Sequence, residues 1–382
     1  MTVVLQVSED HSASNTGITA AVDQLIRHVA PALKQELLCT GTETIPIPEG
    51  VKVTLLECKG LSQVWRMASS QRQSLQTSVN RASVIHLHGV WMWPQWAAAR
   101  AAHQRSLPFI LTSHGMLEAY MWNQKGWAQL SKKTLYWRLV AYPAFRHASI
   151  IHALTPREAD SLKSYFPGQC IEMIPNGLDL GEIDRLLSNV SNSASEINPY
   201  FLFVGRIHPK KGLHLLIEAF SRLSSHHVKL LIAGPVQDHT LKYAQELEAN
   251  VKRYNLQDRV KFLGSVQGEQ KWRLFREAWA FCLPSYSEGL ATVNLEAAAA
   301  QTPVITTPES GVVESWSNHG GVFCSPDVEA VTAALEQALS WTITERNERG
   351  AQLRKLIENH YSWEAIIPQW LSIYQDLSEH NG

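Results

Sequence analysis

Two stretches hold the residues whose types and spacing could do chemistry. The first, "SYSEGLATVNLEAAAAQTPVITT", runs from Ser285 to Thr307 and carries only two charged side chains, Glu288 and Glu296. The second, "VGRIHPKKG", runs from Val204 to Gly212 and carries Arg206, His208, Lys210 and Lys211 between two glycines. Cations between a strand end and a helix start suit a diphosphate, because backbone N–H groups and the helix dipole add to the side-chain charge. Arg grips phosphate oxygens bidentately, and Lys acts as a point charge. Carboxylates repel phosphate but accept hydrogen bonds from hydroxyls. The first stretch predicts a loop bearing Glu288, then a helix from near Thr292 bearing Glu296 about one turn in. The amides of Gly289, Leu290 and Ala291 could then face an anion while the carboxylates face hydroxyls. The ligand so described is both phosphate and sugar.

Plainer readings stand beside these. The basic loop could be solvated at a strand end, and Glu296 could simply complement a helix dipole. A glycosidase dyad is disfavoured. Eight positions of helix rise span ~12 Å, against ~9.5 Å at most for two cooperating carboxyls. The chain has neither GxxxxGK[ST] nor GxGxxG, which removes the main support for a Walker P-loop or a Rossmann dehydrogenase. His114, in "PFILTSHG", follows a strand candidate and precedes a glycine, which makes it a site candidate among 16 histidines. His86 and His88 lie two apart on one strand face, but no third metal ligand is indicated.

The elements that must position these residues alternate regularly. Strand candidates in the first half are 3–8, 51–57, 83–89, 108–115, 149–155 and 170–177. In the second half they are 200–206, 228–234, 260–266, 280–285, 303–307 and 320–324. Amphipathic helices lie between them, one with Leu213, Leu216, Ile217 and Phe220 on one face, another with Val328, Val331, Leu335 and Leu339. Near-continuous apolar strands alternating with helices predict α/β architecture with doubly wound parallel sheets. The Ser- and Asn-rich stretch 188–199 breaks the alternation, and a domain boundary is expected near 178–198. In such sheets ligands bind beyond the carboxyl ends of the strands, where the candidate loops all fall.

Composition narrows the classes. The 382 residues fit two domains, and a net charge of -1 gives no case for a nucleic-acid binder. Five cysteines without a CxxC pair argue against a disulfide framework or zinc site and for a reducing cytoplasm. The N-terminus lacks a basic region, so no signal peptide is expected, and no apolar run reaches 18 residues.

Taken in order, "VGRIHPKKG", "IPNGLD", "FLG" and "PSYSEGLATVNLEAAAAQTPV" resemble the family-4 glycosyltransferases of the GT-B fold. "HGVWMWP" and "PFILTSHGML" are similar to bacterial and cyanobacterial polysaccharide-assembly members, including those of the heterocyst envelope. The resemblance implies two Rossmann-like domains facing across a cleft. Residues 1–180 with a returning C-terminal helix, 362–382, would bind the acceptor, and 181–361 the nucleotide-sugar donor. It implies that Arg206 and Lys211 bind the diphosphate, that Glu296 accepts from the ribose, and that Glu288 contacts the transferred hexose beside the Gly289–Ala291 amides. His114 would lie near the sugar's C6 hydroxyl, and Gly17 would let the first loop approach the ligands. It further implies a retaining reaction in which the leaving diphosphate takes the acceptor's proton. UDP-glucose or another UDP-sugar is the favoured donor and a GDP-sugar the second. The acceptor would be a polysaccharide or lipid-linked saccharide. No resident cofactor or metal is expected, and no DxD occurs. Two departures touch the donor loop: "TG" replaces a glycine pair, and "EGLA" replaces the usual "EGFG".

The segment 119–147 mixes Trp122, Trp127 and Trp137 with Lys125, Lys132, Lys133, Arg138 and Arg146. It suits an interfacial helix touching the inner face of the plasma membrane, or one packing its aromatics into the first domain. Competing functions are a sugar-nucleotide epimerase, a phosphorylase, or a non-catalytic nucleotide-sugar-binding scaffold. The first two need carboxylates or a pyridoxal lysine that cannot be placed.

Overall fold

The structure is a computed structural model that describes residues 2–12, 16–58, 65–68, 71–117, 126–188, 190 and 199–379. The chain divides into two compact units, Met1–Gly177 with Ile366–Gly382, and Leu178–Ala365. Both are α/β units built on an all-parallel sheet, as the alternation of strands and helices predicts.

The first unit holds a seven-stranded, all-parallel sheet in the order β3-β2-β1-β4-β5-β6-β7. Its strands are β1 (Val3–Asp10), β2 (Lys34–Thr40), β3 (Lys52–Leu56), β4 (Val84–His88), β5 (Phe109–Thr112), β6 (Ile150–Ala153) and β7 (Ile171–Met173). Six match expected strands; β2 does not. Its opening Lys34-Gln35-Glu36 hides it from a search for apolar runs, yet Gln35 and Glu36 are buried. Each is buried because it is paired: Gln35 accepts from Gln6, and Glu36 takes a bidentate contact from Arg81 at 2.6–3.0 Å.

The helix Trp363–Glu379 carries its last residues onto this sheet, where Trp370 and Tyr374 are buried. They meet a row of polar side chains in the sheet's centre. Register places Gln6 opposite His86, His88 opposite Thr112, and Thr112 opposite His152, so all share one face.

The second unit holds a six-stranded parallel sheet in the order β10-β9-β8-β11-β12-β13. The strands are β8 (Tyr200–Val204), β9 (Lys229–Ala233), β10 (Val260–Gly264), β11 (Ala280–Leu283), β12 (Val304–Thr306) and β13 (Val322–Phe323). All six lie inside the expected strands. The core is aromatic and aliphatic. Phe201, Phe203, Phe220 and Phe281 are fully buried, each contributing about 1.5–3 kcal/mol of transfer free energy.

The strand order reverses between β8 and β11, so these neighbours send their following helices to opposite faces. Their carboxyl ends therefore border an open crevice, the usual ligand position in such sheets. Close backbone approach there demands glycine. Gly234, at φ 150°, would carry a Cβ only 1.8 Å from the Gly205 carbonyl oxygen. Replacing Gly234 with Ala is expected to cost at least about 2 kcal/mol of unfolding free energy, read as a lower urea midpoint at unchanged m-value.

Candidate active site

The crevice at β8 and β11 is built by three loops. After β8 the chain turns at Gly205 and forms a single 3-10 turn, Pro209–Lys211. His208 caps that turn, its Nδ1 accepting from the Lys210 amide at 3.1 Å. Burial and the cations Lys210 and Arg206 push the His208 pKa down, so its ring is neutral and free to accept. Gly212, at φ 66°, ends the turn and precedes the helix Leu213–Ser221. A Cβ there would stand 2.0 Å from the Pro284 carbonyl oxygen, so only glycine lets this loop touch the one after β11. The Tyr286 amide then donates to the Lys210 carbonyl at 2.8 Å, locking the two loops together.

This contact brings the cations to Glu288. Lys211 Nζ lies 2.7 Å from Glu288 Oε1 and Lys210 Nζ 3.2 Å from Oε2. The Ser285 hydroxyl donates to Oε1 at 3.1 Å. Both carboxylate oxygens are thus engaged, and Glu288 and Lys211 are both buried. Burial works against Glu288 ionisation, yet the ammonium groups of Lys211 and Lys210 win and hold its pKa below the ordinary value. Lys211 is pulled down by burial, with Glu288 opposing and Lys210 and Arg206 adding to the fall. Arg206 itself is exposed at the strand end.

The third loop follows β12. Gly311 packs so closely that its Cβ would lie 2.0 Å from the Gly289 carbonyl oxygen. From this loop, Glu309 and Ser310 accept backbone hydrogen bonds from the amides of Glu288 and Ala291. The expectation that the Ala291 amide faces an anion is therefore corrected: it donates to Ser310 at 2.9 Å. The Gly289 and Leu290 amides donate to no backbone carbonyl among the described residues. Glu296 lies in the helix Thr292–Ala299, as its spacing predicts, and pairs with Lys271 Nζ at 2.7 Å. The two carboxylates do have cationic partners, then, but all come from other segments. The small residues of "EAAAAQ" are buried, and Gly350 of the helix Ile343–His360 meets Gln301 so closely that a Cβ would stand 2.1 Å from its carbonyl oxygen.

His114 belongs to the first unit, on the turn after β5, at φ 51°. Its Nε2 lies 3.1 Å from His88 Nδ1. Burial, with His152 nearby, pushes its pKa down to about 3, so the ring is neutral at physiological pH. Sequence reasoning missed the residue that shapes this turn. Buried Glu158 accepts from the Ser113 hydroxyl at 2.5 Å and the Gly115 amide at 2.7 Å, gripping both neighbours of His114. The available signal was the S/T-x-x-E pattern of Thr155 and Glu158, whose helix-capping contact is present at 3.1 Å. Gly17 is also corrected. It lies in the first turn of the helix Thr16–Val29, not on a loop, and a Cβ there would meet nothing within 4 Å. Residues 13–15 before it lie outside the described residues.

His86 and His88 engage their ring nitrogens in hydrogen bonds with Tyr374, Thr112, His114 and Gln6. In the aromatic-basic segment, 118–125 lie outside the described residues. Beyond them Trp137 is buried, whereas Leu135 and Leu139 are exposed. Among the described residues no helix is long and apolar enough to cross a membrane.

Two family models match the chain. Residues 16–177 match the glycosyl transferase 4-like domain, and residues 188–361 match glycosyl transferases group 1. An uncharacterised glycosyltransferase of Methanocaldococcus jannaschii is 26% identical over 319 residues, 80% of this chain and 78% of that protein. The glycogen synthase of Mycobacterium tuberculosis is 26% identical over 302 residues, 77% of this chain and 69% of that protein. Among solved structures, sucrose-phosphate synthase from Thermosynechococcus elongatus superposes with a TM-score of 0.78 at 20% identity, covering 99% of each chain. Anabaena HepE, in complex with UDP and glucose, gives 0.72 at 16% identity over 98% of this chain and 100% of that one.

Glu288→Gln should lower stability at neutral pH by about 3 kcal/mol, because buried Lys211 and half-buried Lys210 lose their anion. Since the folded-state pKa of Glu288 is depressed, its contribution is present above the unfolded value of about 4.3 and is lost as pH falls through the folded one. Urea titrations of both proteins should therefore converge at acid pH.

Proposed function

The chain belongs to the family-4 glycosyltransferases of the GT-B fold, and from that premise we propose a retaining, metal-independent hexosyltransferase that uses a nucleotide-diphosphate sugar. A UDP-sugar is the first candidate donor, supported by the complexes of Anabaena HepE with UDP and UDP-glucose, and a GDP-sugar is the second. The acceptor is a growing polysaccharide or a lipid-linked saccharide. No resident cofactor is assigned.

The observation that carries this reading is the charge balance at the β8–β11 crevice. Lys210 and Lys211 pair with one carboxylate, Glu288, and Arg206 lies near enough to Lys211 to lower its pKa, so three cations less one anion leave two positive charges. A sugar nucleotide's diphosphate bears two negative charges. The Gly289 and Leu290 amides, just before the helix Thr292–Ala299, add donors for an anion. Charge developing on the leaving diphosphate would be stabilised by groups already in place.

Glu288 is held by Lys211, Lys210 and Ser285, which leaves it ill suited to act as an enzyme nucleophile. That favours the leaving diphosphate as the base that takes the acceptor's proton on the same face, with retention at the anomeric carbon. Glu288 keeps the lysines placed and offers a carboxylate edge to the hexose. Glu296, paired with Lys271, turns toward ribose hydroxyls. His114 serves the transferred sugar near its C6 hydroxyl.

Two measurements test this. In EDTA, UDP and a UDP-hexose should raise the melting midpoint, a ligand at 100 times its Kd stabilising by about 2.7 kcal/mol. Arg206→Ala should abolish the shift without lowering the ligand-free midpoint, since Arg206 is exposed. No shift with any nucleoside diphosphate would remove the reading, and full turnover in a folded Glu288→Ala would remove the catalytic role of Glu288.

Peripheral membrane contact is proposed through the segment after residue 125. There Leu135 and Leu139 face solvent near exposed Lys132 and Arg138. The protein should float with anionic vesicles and lose that binding in Leu135→Asp/Leu139→Asp.

A further inference from the structure

The polar row inside the first sheet has a direction. A backbone carbonyl only accepts hydrogen bonds, so the Ile174 oxygen, 2.8 Å from His152 Nε2, requires a proton on that nitrogen. His152 is neutral, its pKa pushed down to about 4 by burial, so its Nδ1 accepts. The Thr112 hydroxyl, 2.8 Å away, must donate its single proton there. Thr112 Oγ1 can then only accept from His86 Nε2, at 2.7 Å. Burial holds His86 neutral as well, so its Nδ1 accepts from the Tyr374 hydroxyl at 2.7 Å. With that proton spent, Tyr374 Oη accepts from Gln6 Nε2 at 3.3 Å.

Gln6 is oriented a second time from the opposite side. Gln35 Nε2 donates to the Leu33 carbonyl at 3.4 Å, and Gln35 Oε1 accepts from Gln6 Nε2 at 3.0 Å. Two carbonyl-anchored chains therefore agree on which end of the Gln6 amide is the oxygen. That oxygen, at 2.8 Å, takes the proton of His88 Nε2. His88 Nδ1 is left as an acceptor, and His114 Nε2 must donate to it at 3.1 Å. His114 Nδ1 ends the chain as a bare acceptor without a hydrogen bond among the described residues, on a partly exposed side chain.

We infer that Gln6, set by Tyr374 and Gln35, is a positioning residue that fixes His114 as the Nε2–H tautomer and so presents Nδ1 to a hydroxyl of the bound ligand. The assignment of that hydroxyl to a sugar rests on the proposed glycosyltransferase activity; the tautomer does not. His114 is the group that meets the ligand. Gln6, His88, Tyr374, His86, Thr112 and His152 act through it. The arrangement suits an imidazole that must accept a hydrogen bond without gaining a proton, because the buried rings of His86, His88 and His152 crowd one another and the partly exposed ring of His114. The centroids of His86 and His88 are 4.1 Å apart, and those of His88 and His114 are 5.3 Å apart.

The test is made on the full chain labelled with ¹⁵N-histidine. Two-bond ¹⁵N–¹H correlation spectra, assigned by single His→Gln variants, should show His114, His88, His86 and His152 each with a protonated Nε2 and a pyridine-like Nδ1. The pattern should hold from pH 6 to 8. A protonated Nδ1, or averaged signals, at His114 in the unsubstituted protein would overturn the inference without any variant having to fold. Gln6→Met should release His88 and His114 into tautomer averaging, while Tyr374→Phe should not, because Gln35 still orients the amide. An unchanged His114 spectrum in folded Gln6→Met would also overturn it. In transfer assays Gln6→Met should lower kcat by about tenfold with donor KM within about twofold, the loss expected from one misdirected hydrogen bond. Absence of transfer in the unsubstituted protein would count against the proposed activity alone, since the spectra stand without turnover.

Discussion

The ion pair between Lys211 and Glu288 is the contact on which the candidate site of the second unit depends. Its two residues lie 77 positions apart in sequence and approach to 2.7 Å. Every feature around it serves that approach. The strand order makes β8 and β11 neighbours. Gly212 removes the side chain that would hold the two loops apart. A buried pair of this kind is not a strong source of stability, because desolvation offsets most of the Coulomb gain. What it achieves is placement. Without ligand, Glu288 holds both ammonium groups where a diphosphate would need them, so little rearrangement is left for the moment of binding.

Much of this was legible before any coordinates. The strands of the second unit are apolar runs flanked by glycine and proline, and all six were found. The spacing of Glu288 and Glu296 correctly assigned one to a loop and the other to a helix. What could not be read was which partners these carboxylates would meet, since Lys271 belongs to a segment with no visible motif. The Ala291 amide illustrates the same limit. Its place before a helix suggested a free donor, but Ser310 on the β12 loop, nineteen residues further on, takes it. Local sequence describes donors and acceptors, whereas tertiary contacts decide which are spent.

The first unit is harder to read for a related reason. A parallel sheet covered on both faces is expected to be apolar throughout. Here Gln6, Gln35, Glu36, His86, His88, Thr112 and His152 are buried in or beside its centre. Unpaired, each would be destabilising. Satisfied as a network, they enforce one arrangement, because a change at any member leaves a neighbour without a partner. His86 and His88 lie two apart on one strand face, a spacing that left a metal conceivable but without a third ligand. Their ring nitrogens are taken by Gln6, Thr112, His114 and, on the helix Trp363–Glu379, Tyr374.

That helix also sets an order of events during synthesis. Residues 178–365 form an uninterrupted unit, whereas the first unit spans 1–177 and then waits for 366–382. On the ribosome the first sheet emerges early, but Trp370 and Tyr374, which cover its polar row, emerge after the entire second unit. Domains generally mature in the order they are made. In this chain the rule is inverted: the later unit is the first to be complete, and the earlier one keeps an open, hydrogen-bond-hungry sheet face until residues 366–379 have followed it. A nascent chain stalled before residue 366 would carry one finished unit and one unfinished one.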